Sequence, residues 1–449
     1  MSEFKKWRSW GFKLILGLGV LILLVGLVFA FGLPNYQIHT SPNAKLKITA
    51  NENGYQLSQN DQPISIKGAA GEGYLLELQN KGGNTLRLYD YFVTDSLLTL
   101  ADSLGMNIIL DLDLPRVAKP FDYNDVAKVD SLVEAVKSNV RTMMHHSSIV
   151  VWNIGNEICP PSWKMAAPWR TIGRIAQELK SLDPSRLTST AIPLHPTPLI
   201  QARVYANELD FLSINAFKLT LSITPYWEYC LPCWDGPYLY SEIGPMGTWQ
   251  VEANDWNVHQ EWSDLRKTEY LAYMFEHFLP QEPNCLGSCA FFWGFKQERT
   301  HTWYSLFSDQ GEKTPMVDEL EKIWQGKYPS NRAPIIEYLN ISEGSTDQNT
   351  VLKAGTSTQA IVHASDPEND SLIISWEIYH EGDYRHKFNG EGENRPQALP
   401  GLILSSQDSI VNFTVPDSPG DYRLFVYARD GHNNFGSFNV PFFVVLDTF

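Results

Sequence analysis

The sequence predicts an α/β protein: a (β/α)8 TIM barrel with an N-terminal transmembrane helix and a C-terminal all-β sandwich domain. Three observations predict it: eight β-rich runs alternate with helical stretches, strands separated by turn signals fill the last quarter, and an uncharged apolar run lies near the start. The predicted domains are a cytoplasmic stub and anchor at 1–33, a stalk or cap at 34–60, the barrel at 61–328 and the sandwich at 329–449.

Short β-rich runs recur through the middle of the chain and are separated by segments with helical periodicity. About 265 residues hold eight such runs, which is the usual size of a (β/α)8 barrel. The runs are 64–68, 85–89, 107–113, 149–154, 187–192, 211–215, 238–242 and 290–294. The helical segments are 94–104, 126–145, 168–182, 198–208, 260–278 and 315–324, whereas 218–237 is predicted to be a loop rich in Pro, Tyr and Trp.

The N-terminal segment predicts a single membrane anchor. Lys5, Lys6 and Arg8 precede an apolar run at about 17–33, which as a helix would cross a hydrocarbon core of about 30 Å. The positive flank predicts that the catalytic domain lies outside the cytoplasm, in the periplasm or at the cell surface. Val28-Phe29-Ala30 also resembles a signal-peptidase site, but the length of the run favours an uncleaved anchor.

Composition excludes some classes of protein and leaves others open. A net charge of −16 argues against a nucleic-acid partner, because affinity for phosphates comes from Lys and Arg. The 14 Trp and 20 Tyr suit the faces of sugars, although most aromatic side chains in a barrel of this size form its core. The five cysteines, Cys159, Cys230, Cys233, Cys285 and Cys289, are compatible with disulfides, free thiols or, least favoured, a metal site.

Reactive side chains of a (β/α)8 barrel gather at the carboxyl ends of its strands. Two glutamates occupy such positions: Glu157 ends the fourth run and Glu242 ends the seventh. Paired carboxylates across a cleft suit the cleavage of a glycosidic bond, in which one protonates the leaving oxygen and the other attacks or activates water. A glutamate at a strand end is also commonly a surface or ion-paired residue, so the pair is a hypothesis for catalysis.

The motifs Trp152-Asn-Ile-Gly-Asn-Glu157 and Tyr240-Ser-Glu242-Ile-Gly resemble those of the clan A retaining glycosidases, and specifically the barrel of glycoside hydrolase family 2. The resemblance spans about 63–325. It implies that Glu157 is the acid/base and Glu242 the nucleophile, with Asn156 on the sugar 2-hydroxyl and Arg87 beside the nucleophile. The resemblance also implies that Trp293 forms the floor of the cleaved subsite. Asn215 and Asp90, which are polar residues at strand ends, are further candidates for substrate binding.

Two of these roles have structural alternatives: Arg87 as an ion-pair partner and Trp293 as a core residue. The family often places a tyrosine two residues after the strand-six asparagine, where this chain has Phe217. Tyr226 or Tyr229 in the following loop would be a replacement. With Trp227 and Trp234, these rings either line subsites or close the barrel. No metal or cofactor is expected, because the chemistry of this clan requires none.

The sequence therefore predicts a glycoside hydrolase that cleaves a β-linked glycan, an oligo- or polysaccharide, with retention. The alternatives are a transglycosylase of the same clan and a catalytically silent glycan-binding scaffold. Domains that usually precede a family 2 barrel are not recognised before the first run, which favours an open cleft. The sandwich resembles immunoglobulin-like and PKD-like modules. Its acidic turn Asp366-Pro-Glu-Asn-Asp370 is compatible with calcium, although a solvated turn is the favoured interpretation.

Overall fold

The computed structural model describes residues 35–117, 121–217, 233–341, 349–381, 395–407 and 409–446. The predicted anchor at 1–33 and the tyrosines at 226 and 229 lie outside these residues. Among the helices that the structure does describe, none has the length and apolarity needed to cross a bilayer.

A closed barrel of eight parallel strands forms the centre of the molecule, and its strands follow one another in chain order around the barrel. Each of the eight predicted runs contains part of one strand, so the predicted (β/α)8 architecture is confirmed. The strands are β4 (Ile66–Gly71), β5 (Thr85–Leu88), β6 (Asn107–Leu112), β7 (Ile149–Asn156), β8 (Leu187–Pro193), β9 (Leu212–Phe217), β10 (Tyr238–Gly244) and β11 (Cys285–Trp293).

Helices follow most barrel strands and pack their apolar faces on the outside of the barrel. In the helix Val126–Met143, four valines at spacings of three and four residues form the buried stripe that an amphipathic helix requires. Asp125 caps its first turn by accepting hydrogen bonds from two backbone N–H groups. The helices are α1 (Leu75–Asn80), α2 (Asp95–Leu104), α3 (Val126–Met143), α4 (Ala166–Leu182), α5 (Pro196–Tyr205), α6 (Asp264–Tyr273) and α7 (Pro315–Gln325).

A three-stranded antiparallel sheet closes the end of the barrel where the strands begin. It consists of β1 (Leu46–Asn51), β2 (Gly54–Gln59) and β3 (Gln62–Ile64). Leu46, Ile48 and Leu57 are buried against side chains at the starts of the barrel strands, including Ile66 and Leu187. This sheet thus covers the end of the barrel where the strands begin, and the mouth at the opposite end is open to a site.

The C-terminal part is a β-sandwich of two four-stranded sheets that enclose one hydrophobic core. The sandwich is as predicted, whereas the immunoglobulin-like or PKD-like relationship remains a prediction. One sheet has the order β12-β14-β17-β16, from β12 (Ile335–Ile341), β14 (Ser357–Ser365), β17 (Ile410–Thr414) and β16 (Ile403–Gln407). The other has the order β13-β19-β18-β15, from β13 (Val351–Lys353), β19 (Phe435–Val445), β18 (Gly420–Arg429) and β15 (Ile373–His380).

Polar contacts fix this sandwich to the barrel. Buried Lys267 of α6 binds Glu261 and Asp264, and these carboxylates accept hydrogen bonds from Asn439 and Ser437 of β19. Every partner in this cluster is buried, so the junction depends on a satisfied polar network.

Candidate active site

The carboxyl ends of five barrel strands bring together the polar side chains of the candidate site. Arg87 lies on β5, Asp111 on β6, Asn156 at the end of β7, Asn215 on β9 and Glu242 on β10. Glu157 directly follows β7. Parallel strands of a closed barrel all end at the same mouth, and the hydrogen bonds described below join these residues.

Arg87 is fully buried and forms the centre of the network. Its Nε and Nη2 donate to the two carboxylate oxygens of Asp111 at 3.1 and 2.8 Å. Nη1 donates to Glu242 Oε1 at 2.9 Å, and Nη2 also donates to Asn156 Oδ1 at 2.9 Å. One guanidinium is thus shared between two buried carboxylates, and its rigid fork fixes the geometry of both.

Glu242 is a buried carboxylate held at one oxygen by two donors. Its Oε1 accepts from Arg87 and from the Tyr89 hydroxyl, the latter at 2.8 Å. Burial raises the pKa of Glu242 to about 7; Arg87 opposes this rise, the charge of Glu157 adds to it, and the hydrogen bond from Tyr89 opposes it. A register shift between β10 and β9, just before Glu242, places it opposite Asn215.

Glu157 differs from Glu242 because it is exposed at the mouth of the barrel. Asn215 Nδ2 donates to Glu157 Oε1 at 2.9 Å and to Asn156 Oδ1 at 3.1 Å, while Asn215 Oδ1 accepts from Arg87 Nη1 at 3.0 Å. Gly155, with φ +76°, lets the backbone turn at the end of β7, and Glu157 itself has φ +49°. Asn215 and Arg87 therefore connect the two glutamates through hydrogen bonds.

Tyr89 is the site residue that the sequence reasoning missed. The family often has a tyrosine hydroxyl two residues after Asn215 that this chain lacks, and here Tyr89, which directly follows β5, donates a hydroxyl hydrogen bond to Glu242. Phe217, at the usual tyrosine position, packs instead against Phe291 and Tyr304, with ring centroids 5.3 and 5.5 Å apart. Tyr89 follows Arg87 by two residues, so the alternation of side chains along a strand would have placed both on one face.

Asp90 lies at the edge of the mouth, in the turn that follows β5. It is half-buried, and burial, followed by the charge of Asp113, raises its pKa. The proximity of Asp113 and Asp111, which both contribute to this rise, places Asp90 near the network.

The position of Trp293 does not fit its predicted role as the floor of a sugar subsite. Its side chain is fully buried, packs against Phe307 and against Trp324 of α7, and donates from Nε1 to the Tyr74 carbonyl at 3.3 Å. It therefore faces the outside layer of the barrel. Phe292, the preceding residue, stacks on Tyr89 with centroids 6.3 Å apart and faces the mouth.

Exposed aromatic rings border the mouth on two sides. Tyr91 is 67% exposed and stacks on Tyr89, while Trp249 is 57% exposed and packs edge-on against Phe217. Of the four rings predicted in the loop before β10, only Trp234 lies in the described residues. It is buried against Tyr36 and so closes the barrel.

One cysteine of the barrel lies close enough to this network for the charges of Arg87, Glu242 and Asp111 to act on it, namely Cys289. Cys159, Cys285 and Cys289 carry free thiols, and Cys230 lies outside the described residues.

Comparison with known proteins connects this site to a family. Residues 75–217 match the family model for glycosyl hydrolases family 2, TIM barrel domain. The matched segment holds Arg87, Asn156, Glu157 and Asn215 and ends before Glu242. The predicted resemblance to the family 2 barrel is thus confirmed over this segment.

A curated relative matches a shorter stretch. The β-galactosidase of Arthrobacter sp. (strain B7) is 37% identical over 82 residues, which are 16% of this chain and 8% of that protein. The chain thus matches only a small part of the length of this relative.

The solved structures that match this chain are longer than it is. β-Glucuronidase 2 of Bacteroides uniformis, covalently bound to cyclophellitol-6-carboxylate aziridine, is 15% identical with a TM-score of 0.49, covering 89% of this chain and 48% of its own. A putative β-galactosidase from Bacteroides fragilis is 16% identical with a TM-score of 0.48, covering 90% of this chain and 58% of its own.

Proposed function

We propose that this protein is a retaining glycoside hydrolase acting on a β-linked glycan, with Glu242 as nucleophile and Glu157 as acid/base. The observation that carries the proposal is the pair of glutamates at the mouth of a family 2 barrel, connected through Asn215 and Arg87. Glycosidic cleavage needs two carboxyl groups in different environments, and this pair differs in burial.

The environments support the assignment of roles. Glu242 is oriented by two donors to the same oxygen, so its other oxygen is available to attack the anomeric carbon. Glu157 is exposed to solvent, so it can exchange protons as it protonates the leaving oxygen and later deprotonates water. Asn156, held by Arg87 and Asn215, is positioned to contact a sugar hydroxyl in the same mouth.

The hypothesis of a catalytically silent scaffold was supported by the absence of a tyrosine two residues after Asn215, where this chain has Phe217. Because Tyr89 provides a hydroxyl to Glu242 at 2.8 Å, that argument loses its basis. The exposed rings of Tyr91 and Trp249 offer apolar faces to sugars at the mouth.

The test is hydrolysis of β-glycans and aryl β-glycosides by the full chain, starting with aryl β-galactosides because the 82-residue match is to a β-galactosidase. Glu157→Gln and Glu242→Gln should each lower kcat by roughly 100- to 10,000-fold. Glu77→Gln, a change at an exposed helix position, is the matched control and should leave kcat unchanged. NMR of the first product should show the same anomeric configuration as the substrate.

Rescue of inactive variants by azide distinguishes the acid/base from the nucleophile. With an activated aryl glycoside, azide should restore turnover of Glu157→Ala and yield a β-glycosyl azide, because azide replaces water at the glycosyl-enzyme. With Glu242→Ala it should yield the α-azide by direct displacement. A parent chain that is inert on every glycan, with sugar acceptors included, would return the scaffold hypothesis.

We also propose that the protein is anchored to a membrane by an N-terminal helix, with the barrel outside the cytoplasm. The support is the apolar run at about 17–33 and the basic residues that precede it. Extraction of membranes with alkaline carbonate tests this, since an anchored chain stays in the pellet and a peripheral one is released.

A further inference from the structure

Three carboxylates converge where the sandwich meets the barrel. Asp366 and Asp370 lie in the loop between β14 and β15, and Asp430 lies in the turn between β18 and β19. One oxygen of each lies within 4.8 Å of the others. Asp366 and Asp430 are 9% and 6% exposed, so two of the three charges are removed from water.

The two carboxylate oxygens of Asp366 differ in their hydrogen bonding. Oδ1 accepts from the backbone N–H groups of Glu368 and Asp370, both at 2.9 Å. Oδ2 is buried and has no hydrogen-bond partner among the described residues. A buried carboxylate oxygen without a donor is costly, so a ligand bound at Oδ2 would stabilise it.

The side chain of Asn434 contains a second buried oxygen that has no hydrogen-bond partner among the described residues. Its side chain is 1% exposed, and its Nδ2 donates to Asp430 Oδ2 and to Asn331 Oδ1, each at 2.5 Å. Its Oδ1 is buried without a hydrogen-bond partner in the part of the chain that the structure describes. Two independent orphaned oxygens therefore belong to one small group of side chains.

Protein cations do not balance the charge of this group. Within the described ranges, no lysine or arginine nitrogen lies within 4.0 Å of the three carboxylates, and His432 Nε2 is 3.7 Å from Asp370 Oδ2. Arg332, the nearby arginine, is paired with Glu368. The burial of carboxylates that have no cationic partner is costly, and a coordinated metal ion would offset that cost.

We infer that Asp366, Asp370 and Asp430, with the amide oxygen of Asn434, bind a calcium ion. The donors are all oxygens, which select a hard cation over zinc, which prefers nitrogen and sulfur. The donors come from two separate loops, and this irregular arrangement suits the flexible coordination of Ca²⁺ better than the strict octahedron of Mg²⁺. The acidic turn noted in the sequence is thus a binding loop completed by a second turn.

The ion would hold the sandwich on the barrel. Asn331, in the segment between α7 and β12, donates to Asp370 Oδ2 at 2.6 Å. The turn that carries Asp430 binds the barrel through the backbone of Lys313, which pairs with Asn433 and Phe435 at 3.1 and 2.9 Å. A cation that joins the two loops therefore also stiffens the connection between the two domains.

The test is calorimetric titration of the chelator-treated full chain, in mild detergent, with CaCl₂ alone, followed by thermal unfolding. Ca²⁺ should bind at one site with a Kd on the order of 0.1–1 mM, the range of weak calcium modules, and should raise the unfolding midpoint by several degrees. Asp366→Asn and Asp430→Asn should weaken binding at least 10-fold. Asp417→Asn, an exposed acid in the same sandwich, is the matched control.

Asp370→Asn provides a milder variant if the buried changes impair folding, because Asp370 is half-buried and asparagine retains an oxygen ligand. It should fold and bind Ca²⁺ more weakly than the parent. The proposal would be overturned by the absence of binding heat up to about 5 mM CaCl₂, a concentration at which even weak extracellular calcium modules are occupied. An equal midpoint shift in Asp366→Asn and the parent would overturn it as well. An equal response to MgCl₂ would overturn the assignment to calcium.

Discussion

At the scale of single residues, the site depends on how one guanidinium is shared. Arg87 is fully buried and contacts Asp111, Asn156, Asn215 and Glu242. The resemblance to the family 2 barrel implied that Arg87 lies beside Glu242, and the two side chains are hydrogen-bonded. The sequence could not predict that burial outweighs the opposite charge of Arg87 and raises the pKa of Glu242. That balance depends on solvent exclusion, which a strand pattern does not reveal.

For Glu242 as the proposed nucleophile, its pKa sets the acid side of the pH profile of kcat/KM. A nucleophile must be ionised, and the pKa is raised to about 7, so kcat/KM should fall as pH decreases through about 7. The Tyr89 hydroxyl stabilises the charged form, so Tyr89→Phe should move this limb to higher pH and lower kcat roughly 10-fold, the usual effect of losing a hydrogen bond to a charged group. The measurement is kcat/KM against pH from 5 to 9.

The control for this change is Tyr91→Phe. Tyr91 stacks on Tyr89 but is mostly exposed, and Glu242 accepts its hydrogen bonds from Tyr89 and Arg87. In this variant the fall of kcat/KM on the acid side of the profile should occur at the same pH as in the parent. A limb that moves equally in both variants would show that the hydrogen bond from Tyr89 does not set the ionisation of Glu242.

Substitutions of Trp293 and Trp249 should act on different quantities, the first on stability and the second on KM. Trp293 is fully buried against Trp324, so Trp293→Phe should lower the free energy of unfolding by about 2 kcal/mol through lost packing, with KM unchanged. Trp249 is exposed at the mouth, so Trp249→Ala should raise KM and leave stability within about 0.5 kcal/mol. Urea unfolding and steady-state kinetics on both variants decide this, and a raised KM in Trp293→Phe would restore its predicted subsite role.

At the scale of elements, the barrel was predictable because its strands are almost entirely buried and appear as short runs rich in apolar and β-branched residues. The helix α1 was missed because six residues are too few to show helical periodicity. The face of Trp293 was also missed, since a strand end identifies a position along the barrel but not the side on which the ring lies. The cap at 46–64 was only partly predicted, because its short strands alternate weakly in polarity.

The cap should contribute to the stability of the barrel because it covers the apolar starts of the strands. Leu57 on β2 is 2% exposed and packs in the cluster that contains Ile66, so Leu57→Ala should cost about 2–5 kcal/mol of unfolding free energy. Leu76→Ala, at an exposed helix position, is the matched control and should cost less than about 0.5 kcal/mol. Equal costs in urea unfolding would show that the cap only covers the barrel loosely.

At the scale of the whole molecule, the barrel and the sandwich share buried polar contacts, which no pattern in the sequence indicated. Asp264 accepts from the backbone and hydroxyl of Ser437, and Glu261 accepts from Asn439, while Lys267 holds both carboxylates. These partners are more than 170 residues apart in the chain, so their pairing appears only after both domains have folded. The two domains are therefore expected to unfold together.

Removing Lys267 tests this coupling. Lys267→Met leaves Glu261 and Asp264 buried without their cation, which should cost about 3–5 kcal/mol and separate one calorimetric transition into two. Lys322→Met, which removes a half-exposed cation paired with Glu276 and Glu319, should cost about 1 kcal/mol at most and leave one transition. Because Lys267 donates its hydrogen bonds to Glu261, Asp264 and Thr302 and not to the network around Arg87, kcat at temperatures below the first transition should stay near that of the parent. A single transition in Lys267→Met would mean that apolar contacts, rather than this network, hold the domains together.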